Sequence, residues 1–202
     1  TQGLLDLVRR YPDVTVIGNA KTFDFLKNFH GGKALPVNTR VIQEGDTLNL
    51  GKTEIEFIMA PMVHWPEVFI SYDKTNKRLF SADAFGGFGA LAGNIFADEV
   101  DYEEQFLNDA RRYYLNIVIK HGRSVMSLIN KLGDRPIEMI LPLHGVAYRT
   151  EEDIAMILEK YMAWANYKPE EKGIVLAYGS MYGNMEQVMQ RLATMLAEEG
   201  VR

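Results

Sequence analysis

Short β-branched and aromatic runs, each closed off by Gly, Pro, Asn or Asp, punctuate the chain at Val14–Ile17, Val37–Ile42, Glu54–Met59, Phe69–Tyr72, Arg78–Ser81, Ile137–Leu141 and Gly173–Tyr178. Apolar residues at helical spacing fill Thr22–Phe29, Tyr102–Lys120, Arg123–Leu132, Glu151–Ala165 and Met185–Glu199. Strand-like and helix-like segments mixed in this way predict an α/β fold, in which helices cover the apolar face of a sheet. Residues 53–58 alternate polar and apolar, which predicts a half-exposed strand. Gly173–Tyr178 does not alternate and predicts a buried parallel strand. Thr150 with Asp153 reads as a capping box opening the helix at Glu151.

Gly3–Arg10 reads as the end of an amphipathic helix, and Val188–Gly200 as a helix with nothing after it. Both ends look cut, so the expectation is a piece of a longer protein. Residues 166–172 are polar, contain Pro169 and separate a helix from a fresh strand–loop–helix unit. The expected boundary divides a domain over residues 1–166 from a unit over 173–202 that is too short for an independent core.

Apolar residues make up 47% of the 202 and charged ones 24%, which is globular composition. A net charge of −5 argues against a nucleic-acid partner. No apolar run reaches the roughly 18 residues of a membrane span, so no membrane partner is expected. The chain has no cysteine, which excludes a disulfide framework, an iron–sulfur site and a thiol nucleophile within it. A chain that needs no disulfide fits a cytoplasmic setting.

Three metal-capable side chains each follow a strand-like run: His64 after Met59, Asp83 after Ser81, and His144 after Leu141. In layered α/β folds, ligands gather beyond the carboxyl ends of strands, so the three are expected to converge. Imidazole and carboxylate together suit iron, manganese or zinc. A carboxylate has two oxygens and can bridge two ions, which an imidazole cannot. Each residue alone reads as a satisfied loop residue; the joint pattern favours a metal site. His30 and His121 each precede Gly and read as helix C-terminal residues, where a cation offsets the dipole. Trp65, next to His64, reads as a wall of the site, a surface for a flat cofactor, or core packing.

A second signal is the turn at residues 177–185, Ala-Tyr-Gly-Ser-Met-Tyr-Gly-Asn-Met, between a strand-like run and a helix. Backbone N–H groups, the Ser180 hydroxyl and a helix N-terminus there would suit a phosphate monoester. An ordinary strand-to-helix turn is the competing reading. No Gly-Lys-Ser/Thr is present in it, which argues against an NTPase. The acidic run at residues 98–104 reads as the solvated first turn of a helix.

Together these signals resemble the flavodiiron proteins. The resemblance is carried by His64-Trp65-Pro66, by Leu79-Phe80-Ser81-Ala82-Asp83-Ala84-Phe85-Gly86, and by Phe96-Ala97-Asp98-Glu99. Ala110-Arg111-Arg112-Tyr113-Tyr114, Asn116-Ile117-Val118 and Leu143-His144-Gly145-Val146 complete it. It implies a metallo-β-lactamase-like αββα sandwich followed by the first βα unit of a flavodoxin-like domain. By that resemblance His64 is a terminal ligand of one iron, Asp83 bridges two irons, and His144 is a ligand of the other. Ser180, Met181, Tyr182, Gly183, Asn184 and Met185 match the loop that holds the FMN phosphate, with Met185 where the family carries Thr or Ser. The family's remaining ligands come from a His-x-Glu-x-Asp-His motif, absent here and expected upstream of Thr1. The implied oxidoreductase reduces O2 to water or NO to N2O with a di-iron centre and FMN. Its electrons come from a donor such as rubredoxin or a flavin reductase, it works as a homodimer, and no catalytic residue beyond the metal ligands is implied. Two alternatives stand beside it: a zinc hydrolase of the metallo-β-lactamase superfamily, and an inert piece with incomplete sites.

Overall fold

A computed structural model describes residues 2–33 and 37–201. The chain divides into two compact units, Thr1–Asn166 and Tyr167–Arg202.

The first unit opens with α1 (Gln2–Arg10), β1 (Thr15–Gly18), α2 (Ala20–Phe29) and β2 (Asn38–Val41). β1 and β2 pair in parallel, Thr15 opposite Asn38 and Gly18 opposite Val41. A parallel pair needs a crossover, and α2 lies in it. Asn19 caps α2 by accepting a hydrogen bond from the Thr22 amide at 3.0 Å. His30 closes the helix, as its place before Gly31 predicts.

A five-stranded sheet follows, in the order β3 (Thr47–Asn49), β4 (Glu54–Met59), β5 (Phe69–Asp73), β6 (Arg78–Phe80) and β7 (Met139–Leu141). Neighbours from β3 to β6 are antiparallel, whereas β6 and β7 are parallel. Two reversals separate β4 from β6, so β4, β6 and β7 all run the same way. Their carboxyl ends therefore share one edge of the sheet. Ile58 stands opposite Ile70, Tyr72 opposite Leu79, and Leu79 opposite Ile140. Side chains alternate between faces with a period of two, which puts this set on one face. All are buried in a common core with residues from the helices that follow.

Those helices are α3 (Tyr102–Gln105), α4 (Leu107–Tyr113), α5 (Gly122–Leu132) and α6 (Glu151–Ala165). The single helix predicted over Tyr102–Lys120 is instead broken at Phe106 and passes after Tyr113 into a π turn (Tyr114–Val118) and a 3-10 turn (Ile119–His121). The wider turn accompanies burial of the consecutive Tyr113 and Tyr114. His121 is the last residue of the 3-10 turn, as its place before Gly122 predicts, and α5 follows at once with Gly122 as its first residue. A Cβ at Gly122 would lie 2.5 Å from the Ala165 carbonyl oxygen, so this glycine also marks a close approach of α5 to α6. Thr150 caps α6 as expected, accepting from the Asp153 amide at 3.1 Å. The acidic run at 98–104 does more than solvate a helix start. Asp101 caps α3, and Asp98 and Glu99 pair with Arg149 at 2.9 and 3.0 Å.

Two strand expectations fail. Residues 53–58 do not alternate in burial, because Phe57 and Ile58 are both buried and the sheet is covered on both faces at that point. Gly173–Tyr178 is not a buried parallel strand: it has no partner strand among the described residues, and Val175 is 92% exposed. A ladder requires a neighbour, and the second unit offers only α7 (Asn184–Glu198). Among the described residues no helix is long and apolar enough to cross a membrane.

Candidate metal centre

The shared sheet edge brings His64, Asp83 and His144 together. His64 Nε2 lies 3.2 Å from Asp83 Oδ2, and His144 Nε2 lies 3.2 Å from Asp83 Oδ1. The Asp83 side chain is 19% exposed, His64 24% and His144 55%, so the group opens to solvent on the His144 side. Two donors on one ion at about 2.1 Å and near right angles stand ~3.0 Å apart. The observed spacing fits an ion shared by each imidazole–oxygen pair as well as it fits a direct contact. The chemistry of the donors fits iron, manganese or zinc. Among the described residues no group of three or more His, Cys, Asp or Glu side chains makes a self-sufficient metal cage. The reason is visible: the imidazoles sit on opposite oxygens, so each pair is a two-donor set that needs further ligands.

Backbone geometry holds the loops in place. Ala82 (φ 51) precedes Asp83, Phe85 (φ 66) follows it by two, and Met62 (φ 66) precedes His64 by two. Left-handed backbone costs a non-glycine residue about 1–2 kcal/mol and persists only where surroundings fix it. Here the Ser81 hydroxyl donates to the Ala84 carbonyl at 2.8 Å, and the Leu143 amide donates to the Ala82 carbonyl at 2.8 Å. The Gly87 amide donates to the His144 carbonyl at 3.3 Å. The loops carrying the carboxylate and the second imidazole are thus stitched to each other.

Two neighbours were given no site role by the sequence. Tyr113 is buried with its ring 6.0 Å from that of His144; burial, and next the negative charge of Asp83, hold its hydroxyl well above the usual tyrosine range. Glu67 shares with Asp83 the lining of an apolar cavity of about 480 Å³, walled by Phe25, Leu26 and Leu143. Its Oε2 is buried without a hydrogen-bond partner. Trp65 is 52% exposed and meets Phe25 edge-on, which removes the core-packing reading.

In the second unit the turn Ser180–Met185 leads into α7. Gly183 adopts φ 80 immediately before the helix, a conformation that favours glycine. The Glu186 amide donates to Ser180 Oγ at 3.4 Å, so one first-turn N–H is already engaged. Met181 and Tyr182 are largely exposed.

A family model described as the ODP family beta lactamase matches residues 2–145. The chain belongs to that family. The ODP match covers β1 to β7, with His64, Asp83 and His144 inside it. Its homologues and structural neighbours are flavodiiron proteins. An anaerobic nitric oxide reductase flavorubredoxin of Escherichia coli O1:K1 is 33% identical over 98% of this chain and 41% of its own length. The rubredoxin oxygen:oxidoreductase of Desulfovibrio gigas superimposes with a TM-score of 0.90 at 27% identity, over 99% of this chain and 49% of that one. A flavo di-iron protein of Thermotoga maritima gives 0.83 at 26%, over 94% of this chain and 45% of that one. The chain thus spans less than half the length of these relatives, and its fold is that of an ODP metallo-β-lactamase-like α/β domain.

Proposed function

We propose that residues 1–166 form a di-iron domain, and residues 173–202 the first unit of an FMN-binding flavodoxin-like domain, in an oxidoreductase that reduces O2 to water or NO to N2O. The observation that carries this reading is the Asp83 carboxylate with one imidazole at each oxygen, 3.2 Å away. A single carboxylate placed in that way suits two ions side by side, an arrangement that two-metal hydrolases share, so the choice of an oxidoreductase rests on the relatives. The names of the relatives, nitric oxide reductase and oxygen:oxidoreductase, point the same way.

His64, Asp83 and His144 would hold the iron, which supplies reversible one-electron chemistry beside a small diatomic molecule. The residues of the chain do the rest. The Ser81–Ala84 and Leu143–Ala82 hydrogen bonds fix the carboxylate before any ligand arrives. Tyr113 walls one side of His144 and stays protonated at neutral pH. Ser180, Met181, Tyr182, Gly183, Asn184 and Met185 would receive the FMN phosphate through backbone N–H groups at the start of α7. Rubredoxin or a flavin reductase as donor, a homodimer, and a cytoplasmic setting complete the proposal.

The test is metal and flavin analysis of the full-length protein, purified anaerobically, followed by O2 and NO consumption. Iron and FMN with turnover are expected. Zinc without iron, together with thioester cleavage, would replace this reading with a hydrolase.

A further inference from the structure

One anchor of the loop that bears Asp83 is a side chain from a distant part of the sequence. The Phe85 carbonyl accepts its hydrogen bond from a side chain, the Tyr148 hydroxyl, at 3.1 Å in a buried position. Phe85 itself holds φ 66, so without support the loop has reason to relax. Tyr148 lies in the same short segment as His144. Its own backbone is fixed to β7 by two bonds, Ile140 amide to Tyr148 carbonyl at 2.8 Å and Tyr148 amide to Ile140 carbonyl at 3.0 Å. The hydroxyl is therefore a strut from the segment bearing one imidazole to the loop bearing the carboxylate.

A second hydroxyl stands behind it. Tyr102 Oη is 3.0 Å from Tyr148 Oη, and the pair is buried. A carbonyl only accepts, so Tyr148 commits its single proton to Phe85. The Tyr102 hydroxyl must then donate to Tyr148, which fixes the direction of the whole relay. Burial, before any other cause, raises both phenols, and they stay protonated donors at neutral pH.

We infer that the Tyr148 hydroxyl is a positioning group for the bridging carboxylate: through the Phe85 carbonyl it sets Asp83 between His64 and His144, and so sets the affinity of the site for a divalent cation. Groups that orient a metal ligand without touching the metal typically alter affinity about 10–100-fold. The inference rests on the metal reading above, and the experiment separates the two.

Cobalt(II) is titrated into the metal-free full-length protein and followed by its visible absorption, for wild type, Tyr148→Phe, Tyr102→Phe and His144→Ala. Tyr148→Phe keeps the ring and removes the strut; its cobalt affinity is expected to fall about tenfold or more, with a shifted visible band. Tyr102→Phe leaves the Phe85 bond in place and should lie closer to wild type. His144→Ala should lose the strong cobalt spectrum. If wild type binds no cobalt, or His144→Ala binds as well as wild type, the metal reading fails. If wild type binds and Tyr148→Phe binds equally tightly with the same spectrum, only the strut is overturned. A second arm removes folding from the question: 3-fluorotyrosine at position 148 alone keeps shape and hydroxyl but changes donor strength. A shifted cobalt band supports the strut, and an unchanged band and affinity overturn it.

Discussion

His64 Nε2 and Asp83 Oδ2 meet at 3.2 Å although a whole antiparallel strand, β5, separates them in sequence. The meeting is topological, because β4 and β6 deliver their carboxyl ends to the same edge. Asp83→Asn keeps the shape of the side chain and replaces one oxygen with a donor. Iron content of the full-length protein is expected to drop at least about tenfold, the lower bound seen for merely supporting residues. O2 or NO consumption is expected to vanish in His64→Ala and Asp83→Ala. Iron analysis and an oxygen or NO electrode check both; full turnover in either alanine variant would remove the residue from the site.

Gly145 follows His144 directly, with φ 78, and a Cβ there would sit 2.9 Å from the Gly87 amide nitrogen. Gly145→Ala meets both a left-handed backbone and backbone that cannot swing aside. It is expected to cost at least about 1–2 kcal/mol, read as a lower urea midpoint, and to weaken metal binding by displacing His144. A variant with unchanged midpoint and metal content would show the turn to be tolerant.

The convergence of His64, Asp83 and His144 was legible because each follows a strand-like run, and strand ends are where α/β sheets present side chains. The α6 boundaries and the Thr150 cap were legible for a local reason, since the capping side chain is three residues from the amide that it accepts. What was hidden depends on tertiary contact. Nothing local marks β3, three residues long, as a strand. Gly122 reads only as a helix stop, and its close approach to the Ala165 carbonyl has no local mark. Gly173–Tyr178 has the composition of a buried strand, but composition supplies no partner strand. Tyr148 matters through an atom far away in sequence, the Phe85 carbonyl oxygen, so no spacing rule finds it.

The Ser81 hydroxyl is buried and donates to the Ala84 carbonyl within the turn that precedes and contains Asp83. Ser81→Ala removes the donor without opening much space and leaves that carbonyl dry. An unpaired buried acceptor costs about 1–3 kcal/mol. The expected result is a urea midpoint lowered accordingly, with an unchanged dependence on urea, since the area exposed on unfolding does not alter. No change in the midpoint would mean that water reaches Ala84.

Asp73 closes the β5–β6 hairpin: Oδ1 accepts from the Thr75 and Asn76 amides at 3.0 Å each, and Oδ2 accepts from Asn76 Nδ2 at 2.7 Å. Burial pushes the carboxyl up, but the Asn76 and Thr75 hydrogen bonds and the Arg78 charge outweigh it, and the group ends below the usual carboxylate range. A carboxyl that is more acidic folded than unfolded stabilises the fold above its unfolded value of about 3.9; that contribution is lost as pH falls through the folded value. Asp73→Asn places an amide donor against Asn76 Nδ2 and removes the charge facing Arg78. It is expected to destabilise by about 1–3 kcal/mol at pH 7, and the gap between wild type and variant should shrink steadily below about pH 4. Thermal midpoints of both proteins from pH 7 down to pH 3 check this. A gap that stays constant across that range would show that the carboxylate charge contributes nothing and that only the shape of the turn matters.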